Sequence, residues 1–181
     1  TYAHLPALRD HPRATVPAVQ CRTQEKADQV CRDFGIPGGF ASVEDLLGVP
    51  GLDAVVVATT PNVHYAQAKA ALERGKHVLL EKPMTFTAAE ARELCDLADA
   101  NGVQLLISCP WHYTEHGIAA RRMIREGELG GIRMISVLMT NPLDKLLTGI
   151  NTTPTHGMDQ VYVEPNKGSY NDPAIAGGGQ I

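Results

Sequence analysis

The stretch "LDAVVVATTPNVHYAQAKAALERGKHVLLEKPMT", residues 52–85, decides the architecture. Its opening, Leu52 to Thr60, holds a continuous β-branched run, which predicts a strand buried on both faces in a parallel sheet covered by helices. "VHYAQAKAALERG" follows as a helix, with Asn62 in the expected N-cap position and Gly75 as the residue that stops it. "HVLLE" is then a second strand. Strand, helix and strand at this spacing make a right-handed βαβ unit.

Working upstream, "ATVPAVQC" (14–21) reads as a strand, and Ala27, Val30, Cys31 and Phe34 form a helical stripe after it. "GIPGGFAS" (35–42) has room for a brief strand, "VEDLL" (43–47) is a helical turn, and residues 3–8 are also helical in pattern. Downstream, Thr87 and Glu90 make a capping box that opens a helix with Ala91, Leu94, Cys95 and Ala98 on its core side. "VQLLISC" (103–109) is the next strand. The pattern changes after Pro110: a helix from Glu115 to Glu126, the turn "GELGG", and an alternating strand "IRMISVLMT" (132–140). Residues 141–181 are rich in Asn, Thr, Pro and Gly, with only "QVYVE" (160–164) strand-like. The expected fold is α/β, a doubly wound parallel sheet over residues 1–110, with a domain boundary near Cys109 to Trp111.

Composition removes several function classes. A net charge of -4 gives no basic footprint for nucleic acid. No apolar run approaches the roughly 20 residues that span a bilayer, and no signal-peptide pattern opens the chain. Cys21, Cys31, Cys95 and Cys109 include no C-x-x-C pair. Cys31 and Cys95 sit on apolar helical positions, as reduced core cysteines of a cytoplasmic protein would. No metal site is expected.

In an open α/β sheet, ligands bind beyond the carboxyl ends of the strands. Those ends are Cys21, Arg22 and Thr23; Thr59, Thr60, Pro61 and Asn62, with His64 one turn on; Glu81, Lys82 and Pro83; and Pro110, Trp111 and His112. These residues would line one edge.

Residues 52–108, with "TPNVH" (60–64), "GKHV" (75–78) and "EKP" (81–83), strongly resemble the Gfo/Idh/MocA oxidoreductases, the family of glucose-fructose oxidoreductase and inositol dehydrogenase. The likeness continues through "WHYTEHGIAARRMIREGELGGIRMI" and more weakly to "AGGGQ". It implies a Rossmann-type dinucleotide-binding domain over residues 1–110, the start at 111–181 of an α+β open-sheet domain that supports a homo-oligomer, and hydride transfer between NAD or NADP and a sugar, inositol or related polyol. Lys82 would then be the catalytic residue, bonded to the reacting oxygen, where a cation stabilises the developing alkoxide. Glu81 would face the nicotinamide end and His64 its ribose, Asn62 would pass under the cofactor, and the Lys82–Pro83 peptide would be cis. Trp111 and His112 stand where the family often has Trp-Arg. The same fold also supports two alternatives, a dinucleotide-binding regulator without turnover and a cofactor-recycling glycoside cleavage.

Three departures qualify what the likeness implies. The glycine-rich turn and its strand do not precede "TYAHLPALRDHP", which already matches the first helix, so the chain is expected to be an internal piece of a longer protein. Cys21 stands where NAD-binding relatives place an acid, and Arg22 with Thr23 can hold a 2′-phosphate, which tilts the expectation toward NADP. The aspartate and histidine that the likeness leads one to expect after the glycine run would lie beyond residue 181. Tyr170 and Asp172, in "GSYNDPAIAGGG", are weak candidates for facing substrate and otherwise read as turn residues.

Overall fold

The structure, a computed structural model, describes residues 4–138 and 172–177. Helices α1 (His4–Arg9), α2 (Gln24–Phe34), α3 (Val43–Leu47), α4 (His64–Glu73), α5 (Ala88–Ala100) and α6 (Glu115–Arg125) alternate with strands over most of the chain. The strands are β1 (Ala18–Gln20), β2 (Gly38–Phe40), β3 (Ala54–Val57), β4 (His77–Leu80) and β5 (Leu105–Ile107). All the pairings are parallel, in two ladders of order β1-β2 and β3-β4-β5. The expected α/β architecture is what the chain adopts.

Several helix ends are set by local signals. Thr23 caps α2 by accepting from the Lys26 N–H, and Ser42 caps α3 by accepting from the Asp45 N–H. The predicted capping box is present at α5: the Thr87 hydroxyl accepts from the Glu90 N–H, while Glu90 accepts from the Thr87 N–H. Gly75 ends α4 at a φ of 66°, and the Lys76 N–H returns to the Ala71 carbonyl at 3.1 Å.

The main core lies around the three-stranded ladder. Val57, Val78 and Leu80 from the strands meet Ala68, Ala71 and Leu72 of α4, Leu94 and Ala98 of α5, and Leu47 and Leu52. Small alanines on α4 let the helix approach the sheet closely, and its N-terminus stands near the carboxyl edge of β3 because it follows that strand in the chain.

Several expectations need correction. β3 is not buried on both faces: Ala54 is exposed and Val55 and Val56 are half-buried, because among the described residues β3 pairs with β4 alone and its other edge borders a cleft. That cleft, about 480 Å³, separates residues 15–21 from residues 51–59. Pro17 lies outside the ladder, since β1 begins at Ala18, and its carbonyl accepts from the Gly38 N–H at 3.1 Å. Asn62 is not an N-cap. The chain enters α4 through a 3₁₀ turn, Pro61–Val63, in which Asn62 is the middle residue. Cys95 is exposed rather than in the core, because the buried stripe of α5 centres on Leu94 and Ala98. Residues 132–138, expected as a strand, are exposed and pair with no described neighbour, and alternation alone cannot make a strand without a ladder to join. The predicted "QVYVE" strand lies outside the described residues.

Candidate active site

The ladder carries the candidate residues to one edge. Beyond the last paired residues of β4, the Glu81 N–H donates to the Val57 carbonyl at 2.9 Å and the Ser108 N–H to the Leu80 carbonyl at 2.8 Å. Thr59, Glu81 with Lys82, and Ser108 therefore stand side by side at the ends of β3, β4 and β5. Across the cleft, Cys21 follows β1 and its N–H donates to the Phe40 carbonyl at 3.0 Å.

Glu81 is held from three directions. His4 Nε2, from the first turn of α1, lies 2.8 Å from Glu81 Oε1, with both side chains about three-quarters buried or nearly so, at 22% and 29% exposure. The Ser108 side chain and the Lys82 backbone N–H, the latter 3.2 Å from Oε2, complete the set. Burial pushes the Glu81 carboxyl up, but the hydrogen bonds from His4, Ser108 and Lys82 outweigh it and hold it below the ordinary carboxylate value. Glu81 is thus a fixed negative charge at the edge.

Lys82 is the opposite case. It is exposed, and no hydrogen bond or ion pair engages its ammonium among the described residues. Its backbone is nevertheless tied on both sides, by Glu81 in the ladder and by Pro83, whose carbonyl lies 2.8 Å from His64 Nδ1. The Lys82–Pro83 peptide is cis. His64 itself is fully buried, and its Nε2 lies 3.1 Å from the Thr59 carbonyl. Both ring nitrogens are therefore occupied by backbone, and His64 braces the edge from beneath.

Around the rest of the rim, the Thr59 hydroxyl donates to Gln67 Oε1 at 2.7 Å, and Thr60 leads into the Pro61–Val63 turn. Arg22 is exposed beside the capped N-terminus of α2 and has no described side-chain partner. An unpaired guanidinium next to the positive end of an eleven-residue helix suits an anionic group. Burial pushes the Cys21 thiol up, so no anion stands there to accept from a ribose hydroxyl. Exposed donors at Arg22 and Lys82, and an acceptor at Glu81, are the kinds of group that a dinucleotide's phosphates and ribose hydroxyls would take.

Trp111 and His112 lie in a 3₁₀ turn, Pro110–Tyr113, beyond β5. The His112 ring packs edge-on to Tyr113, with centroids 5.1 Å apart, and the Arg121 guanidinium of α6 lies against it. No hydrogen bond or ion pair joins Trp111 or His112 to Glu81 or Lys82 among the described residues. Asp172 caps the short helix Pro173–Ala176 by accepting from the Ala174 N–H at 2.9 Å, as a turn residue would. That helix lies against the Pro61–Val63 turn, and Gly177 after it abuts the Phe86 ring so closely that an added β carbon would stand 2.5 Å from Cε1. Tyr170 lies outside the described residues.

Sequence reasoning missed His4, Ser108, Gln67 and Arg121. Ser108 had a signal, being the first polar residue after β5. His4 had none, since it reaches Glu81 across 77 positions. No helix among the described residues is long and apolar enough to cross a membrane.

Comparison with known proteins converges on one group. The dTDP-3,4-didehydro-2,6-dideoxy-alpha-D-glucose 3-reductase of Streptomyces antibioticus is 37% identical over 142 residues, covering 76% of this chain and 42% of the relative. The scyllo-inositol 2-dehydrogenase (NADP(+)) of Bacillus subtilis (strain 168) is 32% identical over 112 residues, 62% of this chain and 31% of the relative. A 3-ketoreductase from Actinomadura kijaniata, solved with TDP-benzene and NADP, aligns with a TM-score of 0.61 and 30% identity over 68% of this chain and 39% of its own. The chain thus spans less than half the length of these relatives. The family model described as "Oxidoreductase family, NAD-binding Rossmann fold" matches residues 1–108, and the chain belongs to that Gfo/Idh/MocA oxidoreductase family.

Proposed function

We propose that the whole protein is an NAD(P)-dependent oxidoreductase that interconverts a hydroxyl and a carbonyl on a sugar, inositol or related polyol, with residues 1–110 as its dinucleotide domain and 111–181 opening its substrate domain. The observation that carries this reading is the Glu81–Lys82 pair: a carboxylate pinned by His4 and Ser108 beside an ammonium that no described residue engages. A cation left free at the carboxyl edge of a dinucleotide-binding sheet is placed to meet the oxygen of a reacting carbon. The nicotinamide cofactor, when bound, supplies or accepts the hydride.

Lys82 then donates a hydrogen bond to that oxygen and stabilises the negative charge that develops on it as the carbon–hydrogen bond forms or breaks. Glu81 keeps the neighbouring position anionic. Arg22 and Thr23 hold the far end of the cofactor, and the unpaired guanidinium beside an uncharged Cys21 favours NADP over NAD. Thr59 to Asn62 form the loop along which the cofactor lies. The relatives' named substrates, a dTDP-linked ketosugar and an inositol, fit a substrate that presents a ring carbon bearing oxygen. Assembly as a homo-oligomer and a cytoplasmic location accompany this reading.

The test uses the full-length protein with NADPH and NADP, each against a panel of inositols, aldoses and nucleotide-linked ketosugars, followed at the nicotinamide absorbance. Turnover with one member, and transfer of deuterium from labelled cofactor into the product carbon, is expected. A protein that binds cofactor yet turns over none, or that releases sugar without net change in cofactor, overturns the reading.

A further inference from the structure

We propose that His64 is a positioning residue for Lys82, acting through the Pro83 carbonyl and touching neither substrate nor cofactor. This rests on the reading of Lys82 as the group that meets the reacting oxygen.

His64 is the one fully buried polar residue among those described. A buried imidazole is costly unless its N–H finds a partner, and main-chain carbonyls face both nitrogens: Pro83 at 2.8 Å from Nδ1 and Thr59 at 3.1 Å from Nε2. A ring with a single N–H donates to only one of them. In the arrangement proposed, that hydrogen is on Nδ1 and is held by the Pro83 carbonyl. Proline has no N–H, so its carbonyl is the only main-chain hydrogen-bonding group by which the residue after Lys82 can be held.

The rest of the geometry shows why that hold matters. The Glu81 N–H is fixed in the ladder by the Val57 carbonyl at 2.9 Å, so the chain is tied immediately before Lys82 and, through His64, immediately after it. Between those ties the lysine side chain has no described partner of its own. Its direction is therefore set by the backbone alone. Releasing Pro83 frees the α carbon of Lys82 to shift, and a displacement of about 1 Å at a reacting group can cost about 100-fold in rate. The Thr59 carbonyl lies on the other side of the ring, and the lysine stays tied whether or not that contact is kept.

Two side chains separate these contacts. Asparagine places its amide nitrogen near the imidazole Nδ1 and keeps a donor for Pro83, whereas glutamine reaches the Nε2 position and turns its donor to Thr59 instead. In the full-length protein, H64N is expected to retain at least about tenfold more kcat than H64Q, with cofactor Kd similar in both and similar losses in Tm. Activity that instead tracks Tm, equally in the two variants, would make His64 a packing residue and overturn the proposal. A second readout needs no turnover: a ¹⁵N–¹H spectrum of the wild-type protein should show a slowly exchanging Nδ1–H for His64. Peptide-mapped amine labelling of Lys82 should change its rate in H64Q more than in H64N. A bare Nδ1, or identical labelling in both variants, overturns the proposal even if every substrate fails; an inactive wild type with the expected spectrum and labelling instead counts against the proposed function alone.

Discussion

Replacing Lys82 with alanine separates chemistry from folding. In the structure the side chain is exposed and its ammonium engages no described residue, so its loss removes no intramolecular bond. Stability is expected to change by no more than about 0.5 kcal/mol, as for surface positions in general. Cofactor affinity should also hold, because Arg22 and Thr23 remain at the other end of the edge. The reaction should not. Removing one preorganised donor to a developing oxyanion costs about 100- to 1,000-fold, or about 2.7–4 kcal/mol. The assay is kcat/KM on the full-length protein at saturating cofactor, with cofactor Kd from fluorescence titration and Tm from calorimetry on the same samples. A K82A protein with kcat/KM within about threefold of wild type would remove Lys82 from the chemistry. A loss matched by an equal rise in cofactor Kd would reassign it to binding.

Other substitutions probe neighbouring parts of the edge. Arg22→Ala should weaken NADP by about 10- to 100-fold, the worth of a charge-assisted contact, and leave NAD nearly unchanged; equal loss of both in titrations would show that the guanidinium meets no 2′-phosphate. Folding lowers the Glu81 pKa, so the folded state gives up this proton more readily than the unfolded one, and the resulting stability is full above the unfolded value of about 4.3 and is lost as pH falls through the folded value. Urea midpoints taken between about pH 6 and pH 3 should therefore fall less steeply for Glu81→Gln than for wild type. Leu80, fully buried at the end of β4 within the main core, should cost about 2–5 kcal/mol on truncation to alanine, read from urea denaturation. Thr87→Ala breaks the capping box and should cost about 1 kcal/mol by the same measurement.

What could be read before the structure was whatever depends on neighbours in sequence. The apolar run of "HVLLE" and the charges after it place Glu81 and Lys82 at a carboxyl edge, and the caps at Thr87 and Gly75 need only four or five residues to specify. Asn62 failed because two capping solutions compete there: Pro61 suits the first position of a 3₁₀ turn, and the turn displaced the asparagine cap. Cys95 failed because helical periodicity gives the spacing of a stripe but not which flank of it meets the sheet. The bracing of Glu81 by His4, and of Pro83 by His64, depends on where α1 and α4 come to rest, and no local pattern carries that.

The contact between Gly177 and Phe86 ties together positions that are 91 apart in the chain. Gly177 sits at a φ of 78°, and the phenylalanine ring occupies the volume a β carbon would take. Bulk is thereby allotted to one partner only: a larger residue at 177 needs both a smaller one at 86 and a backbone conformation that L-residues rarely adopt. Shrinking Phe86 relieves only the first of these demands. Drift at position 86 is therefore free to proceed toward smaller side chains without any change at 177, whereas the glycine has no such freedom even after its neighbour has yielded. The tolerance of the pair to mutation runs in one direction.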